Sequence, residues 1–208
     1  KHLGDKPVSA LIFTHSHIDH FGGALGVLSS EEAAARKIPV LAPQGFLEEA
    51  VSENILVGTA MGRRANYQFG ITLERSAKGL VDVGLGKFIA SGKSGILPPT
   101  VIIRKAEEAR VVDGVRFVFY NVPGAEAPAE LTFLLPERKA YCGAEILNRT
   151  MHNLLPVRGA KARDALRWAN YLQEALEQAA DAEVCFNTHN HPVWGRARIA
   201  EFIAKHRD

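Results

Sequence analysis

The stretch FTHSHIDHFGG, residues 13–23, sets His15, His17, Asp19 and His20 within six positions, directly after an apolar run. So many donor side chains would make a poor core. As ligands for two metal ions they make sense. On an extended loop His15 and His17, at i and i+2, point the same way and can grip one ion. Asp19 and His20 follow once the chain begins to turn, and can face a second. Imidazole nitrogen suits zinc, and a carboxylate adds a harder ligand. Paired ions about 3.5–4 Å apart act together on a water molecule. A lone His-x-His pair is often incidental, whereas four such residues between an apolar strand and Gly22-Gly23 are a specific pattern.

Working outward, Val8 to Phe13 reads as a short buried strand, and Gly22-Gly23 as a tight turn into a short helix over 24–28. Ile38 to Ala42 is a second strand, ended by Pro43, and a helical pattern runs from Phe46 to about residue 70. The glycine-rich stretch 71–99 reads as an irregular surface loop, long enough to act as a lid or substrate wall. Strands follow at Val101–Arg104, at Val115–Tyr120 after an Asp113-Gly114 hairpin turn, at Leu131–Leu135 and at Ala140–Gly143. A helix over 161–180 carries Leu166, Ala169, Leu172 and Leu176 on one face, with Trp168 on its buried side. Glu183–Asn187 is expected to be the last strand and Arg196–Lys205 the last helix. Strands with helices before and after them, and chemistry at the strand ends, indicate a layered α/β fold.

At 208 residues, 47% hydrophobic and 23% charged, the chain has the size and composition of one globular domain. A net charge of +2 gives no reason to expect nucleic acid or a membrane surface as partner. No apolar run is long enough for a transmembrane helix. Cys142 and Cys185, in apolar contexts, read as buried thiols and set no compartment.

"THSHIDHFGG" resembles the signature of the metallo-β-lactamase superfamily, an αββα sandwich with two metal ions at its edge. "APQGFLEEAVSEN", "GRRANYQFG", "VDVGLGK", "NVPGAEAPAEL", "MHNLLPVRGAKARD" and "HPVWG" are similar, in this order, to the catalytic domain of the SDS-hydrolysing alkyl sulfatases. The resemblance implies a zinc ion on His15, His17 and Glu126, a second on Asp19, His20 and His189, and Glu145 bridging them. Glu130 competes with Glu126, which directly follows the strand and the Pro123-Gly124 turn. His191 competes with His189, because "THNHP" departs from the family's adjacent histidine pair. Two divalent ions, three carboxylates and one hydroxide sum to neutrality, so an anionic ester needs a cation of its own.

That cation is implied in "MHNLLPVRGA". The planar fork of arginine suits the oxygens of a sulfate monoester, and the resemblance places Arg158 and Asn153 on the sulfate. Asp19, Glu145 and Arg158 are the expected catalytic residues. Arg163 either adds positive charge nearby or caps a helix; the resemblance implies a proton-donating histidine near this position in some members, and none stands here. His152 reads as a packing or loop residue, Arg63 and Arg64 as a solvated helix face, and Tyr67 as packing. The implied function is zinc-dependent hydrolysis of an alkyl sulfate to alcohol and inorganic sulfate. The alternatives are another dinuclear hydrolase of the same fold, on a carboxylic ester, lactam or phosphoester, or a fragment that binds metal without turnover. The family's strands before the histidine motif, its helical dimerisation region and its C-terminal domain do not occur in residues 1–208. The expectation is therefore a partial catalytic domain, with a homodimer possible only through parts outside this sequence.

Overall fold

The computed structural model describes residues 4, 6–83, 86–87 and 92–208. Its elements in chain order are β1 (Leu11–Ile12), α1 (Ile18–Phe21), α2 (Ser30–Ala35), β2 (Val40–Pro43), α3 (Phe46–Val51), α4 (Gly58–Gln68), β3 (Val101–Ile103), β4 (Glu107–Val112) and β5 (Val115–Asn121). Then come β6 (Leu131–Leu135), β7 (Ala140–Cys142), α5 (Ala165–Gln178), β8 (Val184–Phe186), β9 (Val193–Trp194) and α6 (Arg196–Arg207). Strands β1, β2 and β3 form a small parallel sheet; β4 to β9 form a larger one, antiparallel except where β7 runs parallel to β8.

Alternation along the strands sorts the apolar residues into three layers. On β2, Leu41 faces inward with Ile103, Phe119, Leu131 and Phe133, the filling between the sheets. Val40 and Ala42 face outward onto Phe21, Ala33, Phe46 and Ala50 of the early helices. On β5, Phe119 turns inward, while Val118 and Tyr120 face out onto Trp168, Leu172 and Ala175 of α5 and Ile199 and Ile203 of α6. The result is the αββα layering that the resemblance implies. The Asp113-Gly114 hairpin is as expected: both residues have positive φ (48° and 75°), as a type I′ turn requires.

Several expectations need correction. The first strand is shorter than 8–13, and Leu11 and Ile12 are only half-buried, because β1 is an edge strand bonded on one side. Helix α2 is an element beyond those expected; Ser29 caps it by accepting from the Glu32 N–H at 3.1 Å. The helical pattern after Phe46 is broken by a π-turn at Ser52–Leu56. Leu166 is 72% exposed, and the buried stripe of α5 is instead Trp168, Leu172 and Ala175. A further strand, β9, pairs antiparallel with β8. Of the 71–99 loop, residues 84–85 and 88–91 lie outside the described set. Its described part has neither helix nor strand, yet it is not wholly superficial, since Leu80, Val83 and Leu97 are buried. No helix among the described residues is long and apolar enough to cross a membrane.

Removing a fully buried leucine loses contacts and leaves a cavity. Leu172→Ala is expected to cost about 2–5 kcal/mol, whereas Leu166→Ala should stay within about 0.5 kcal/mol. Denaturant unfolding of the two variants measures both, and equal effects would contradict this orientation of α5.

Candidate metal centre

The chain leaves β1 and crosses from the small sheet to the large one. Thr14 O accepts from Leu131 N at 2.8 Å, Ser16 N donates to Ala129 O at 3.2 Å, and His15 forms an antiparallel bridge with Glu130. His15 and His17 are thereby fixed beside the start of β6. The single turn of α1 then carries Asp19 and His20. Gly22, expected to supply turning freedom, has an ordinary helical φ of −62°. Its requirement is space: a Cβ there would lie 2.6 Å from Ile18 O. The remaining candidates also follow strand ends: Glu126 after β5, Glu145 after β7 and His189 after β8.

Glu130 joins these loops. Its Oε2 accepts from the backbone N–H groups of Glu126 (3.2 Å) and Ala127 (3.1 Å), and its Oε1 from that of Glu145 (3.1 Å). It is fully buried, and both of its oxygens are taken up in orienting the two other glutamates. Burial, with the charge of Glu126, raises the Glu130 carboxyl to about 8, against the pull of these N–H groups. On the third side Ala144, at φ 45°, turns the chain so that Glu145 faces inward. Thr188 holds that turn, its N–H and Oγ1 both donating to Ala144 O (3.1 and 3.2 Å).

Two groups of ligand atoms result. His15, His17, Glu126 and Glu145 bring one atom each to within 4.8 Å of one another, and all four residues are buried. Asp19, His20 and His189 form the second group on the same criterion. Glu145 spans the two: its Oε2 lies 2.9 Å from His15 Nε2 and 3.0 Å from His20 Nε2, and its Oε1 lies 3.1 Å from His189 Nε2. Among the described residues, buried His15 Nε2, Glu126 Oε2 and Glu145 Oε2 approach one another closely but make no hydrogen bond of good geometry. Convergent, buried and unpaired acceptors of this kind are costly unless a cation satisfies them. Mixed imidazole and carboxylate donors fit a metal ion such as zinc.

The charges are strongly coupled. Burial would lower His17, but Glu126 and Glu145 overcome it and lift the imidazole to about 10. Likewise Asp19 and Glu145 lift His20 to about 9 against its burial. Asp19 falls to about 2 because His20 outweighs its own desolvation. His15 is lowered, chiefly by complete burial. Glu145 is held well below the usual carboxylate range, the four histidines around it outweighing its burial.

Around this cluster lie the residues whose roles the sequence leaves open. Arg163 does not cap α5; Asp164 does, accepting from Arg167 N at 3.0 Å. The buried Arg163 guanidinium instead pairs with Glu126 Oε1 and donates to Asn153 O at 2.7 Å. Arg158 lies near Glu53, Nη2 to Oε2 at 3.7 Å, and its N–H donates to Gln68 Oε1 at 2.8 Å. Glu53, absent from the sequence reading, is buried 3.9 Å from His17 Nε2. Its only sequence signal is a polar residue within a helical run. Asn153 is on the same loop as Arg158, but its side chain is exposed and its described contacts use the backbone carbonyl. His152 packs on Trp168, ring centroids 4.1 Å apart, as a packing residue should. His191 is exposed, its carbonyl accepting from Arg149 Nε at 3.1 Å; it is outside both ligand groups. Tyr67 is 83% exposed and does not pack; Arg63 and Arg64 form the solvated face expected.

Comparison with known proteins agrees with this geometry. The metallo-beta-lactamase superfamily profile matches residues 1–189. A linear primary-alkylsulfatase from Pseudomonas sp. is 45% identical over 209 residues, covering 100% of this chain and 31% of that protein. An (R)-specific secondary-alkylsulfatase from Pseudomonas sp. is 44% identical, covering 100% of this chain and 32% of that one. The chain thus spans about a third of the length of the curated relatives it matches. Among solved structures, the sec-alkylsulfatase Pisa1 from Pseudomonas sp. superposes with a TM-score of 0.93 at 43% identity, covering 98% of this chain and 32% of that one. The metallo-beta-lactamase FIM-1 from Pseudomonas aeruginosa has a TM-score of 0.57 at 15% identity, covering 97% and 69%, a likeness of fold alone.

The raised His17 and His20 values stabilise the metal-free fold. Their contribution is complete below the ordinary 6.5 and is lost as pH rises through about 9 and about 10. Metal binding has the opposite dependence, because a ligating nitrogen must be free of its proton. Stripping metal with a chelator should therefore lower Tm more at about pH 9.5 than at about pH 6. Calorimetry of loaded and stripped protein checks this, and an equal drop at both would contradict it.

Proposed function

The chain belongs to the metallo-beta-lactamase superfamily, and on that premise we propose that the protein hydrolyses alkyl sulfate esters of the dodecyl sulfate kind, giving an alcohol and inorganic sulfate. Residues 1–208 are its catalytic domain or part of it. Two zinc ions are the cofactors, one on His15, His17 and Glu126, the other on Asp19, His20 and His189, with Glu145 reaching both. The names and the identity of the alkylsulfatase relatives support the substrate class.

The observation that carries the reading is the position of Arg158. It stands at the edge of the buried ligand group, linked to His17 through Glu53, on a loop whose Leu154, Leu155 and Val157 are 40%, 71% and 68% exposed. Across the Arg158–Glu53 contact, Ile55 and Leu56 are exposed as well. A guanidinium set among uncovered apolar side chains matches an ester with an anionic head and a hydrocarbon tail. Fully ionised, the seven ligands carry three negative charges, so a sulfate ester requires cations beyond them.

Bound at these sites, the ions would lower the pKa of water and stabilise charge on the leaving oxygen. Arg158, with Asn153, orients the sulfate by charge-assisted hydrogen bonds. Arg163 offsets the charge of Glu126 and, through Asn153 O, ties the sulfate-binding loop to the ligand group. Asp19 is the most exposed ligand, its side chain 39% accessible, and with Glu145 it faces the reacting ester. The described part of the 71–99 loop forms a wall for the alkyl chain.

Replacing His17 or Asp19 by alanine should abolish dodecyl sulfate hydrolysis along with metal binding. Arg158→Ala should keep the metal and lower kcat/KM by about 10²–10³-fold, as for loss of one oxyanion contact. Sulfate release and elemental analysis give both quantities. Full turnover by metal-stripped protein, or cleavage of phosphodiesters with none of alkyl sulfates, would sink the reading.

A further inference from the structure

We propose that Glu53 is a positioning residue with two duties: it fixes the tautomer in which His17 meets its metal, and it holds Arg158 at the site. This rests on the reading of the cluster as a metal centre.

The two ring nitrogens of His17 face different surroundings. Nδ1 faces inward, 3.1 Å from Glu126 Oε2 and 4.0 Å from Glu145 Oε2. Nε2 faces Glu53 Oε2 at 3.9 Å. A neutral imidazole has one N–H and one lone pair. To ligate through Nδ1, His17 must carry its proton on Nε2, and Glu53 is the acceptor described on that side. At 3.9 Å the two atoms stand about 0.7 Å beyond the long end of the hydrogen-bond range. His15 uses the opposite arrangement: its Nε2 meets Glu145, while Nδ1 contacts Thr14 Oγ1 at 3.0 Å. Neighbouring histidines thus present different nitrogens, and an outer partner has to choose for each. A carboxylate behind a ligating imidazole is the usual way to make that choice and to raise the ligand's basicity.

Glu53 is also placed against Arg158, 3.7 Å from Nη2. The carboxylate is buried, and its Oε1 has no hydrogen-bond partner, so no other described group explains its presence. The backbone puts it there at a structural expense, because Glu53 lies in the π-turn Ser52–Leu56. The side chain of Asn54, in the same turn, donates to Ala50 O at 2.8 Å. Such turns recur at functional sites, where an extra residue re-aims a side chain.

The test compares Glu53→Gln, Glu53→Leu and Glu53→Asp with the parent protein in three measurements: zinc affinity by chelator competition, inhibition by inorganic sulfate, and Tm of the metal-free form. Glu53→Gln and Glu53→Leu should bind zinc at least tenfold more weakly and be less inhibited by sulfate, with Glu53→Asp recovering part of both. A Tm loss with unchanged zinc affinity and sulfate inhibition would show a merely structural residue and overturn the proposal. If the parent holds zinc but does not hydrolyse alkyl sulfates, the proposed function fails while the zinc comparison still decides the role of Glu53. If the parent holds no metal, both fall.

Discussion

One buried carboxylate holds the site together. Glu130 accepts three backbone N–H groups, two from the loop that carries Glu126 and one from Glu145 itself. Its own backbone bridges to His15 across the gap between the sheets. Three of the candidate ligands therefore take their positions from one residue, two through its side chain and His15 through its backbone. An apolar residue at position 130 would leave three buried donors unpaired, at a cost of about 1–3 kcal/mol each.

The rest of the sandwich serves this junction by keeping two sheets in register. Phe117, Phe119 and Phe133 lie within 6 Å of one another between the layers, ring centroids 5.4–5.8 Å apart. On the outer face Trp168 of α5 donates from Nε1 to Ile146 O at 3.0 Å, next to Glu145. Packing and ligand placement are thus coupled over a single residue. Positive charge arrives from elsewhere: Arg163 and Arg158 come from a loop with neither helix nor strand, and meet the acidic cluster at its rim.

How much of this was legible in the sequence depended on distance along the chain. His15, His17, Asp19 and His20 are local, so their spacing alone announced a metal centre. Glu126, Glu145 and His189 are separated from them by more than a hundred positions. Their places just past strand ends are shared by many residues, and only family resemblance singles them out. Glu130 could be named as a rival but not placed, because its role lies in three backbone contacts that no residue pattern encodes. Glu53 was invisible for a related reason: a π-turn changes which way a helical residue faces, and periodicity assumes an unbroken helix. Elsewhere the errors were of weighting. Ser29 and Glu32 spell out the start of α2, and Leu166, at helical spacing from Ala169, lies outside the buried stripe that Trp168, Leu172 and Ala175 form.

The turn at Ala144 has a consequence of another kind. An alanine at φ 45° sits where a glycine would be at ease, so the bend is imposed by its surroundings rather than chosen by the residue. The restraints are Thr188 on one side and Glu130 on the other. Glu145 is consequently held as a latch is held, by parts that never touch what it grips. Variation at Thr188, outside both ligand groups, would be read out as a displaced glutamate. In a lineage of such folds, a shift in ligand placement would begin at a threonine hydroxyl.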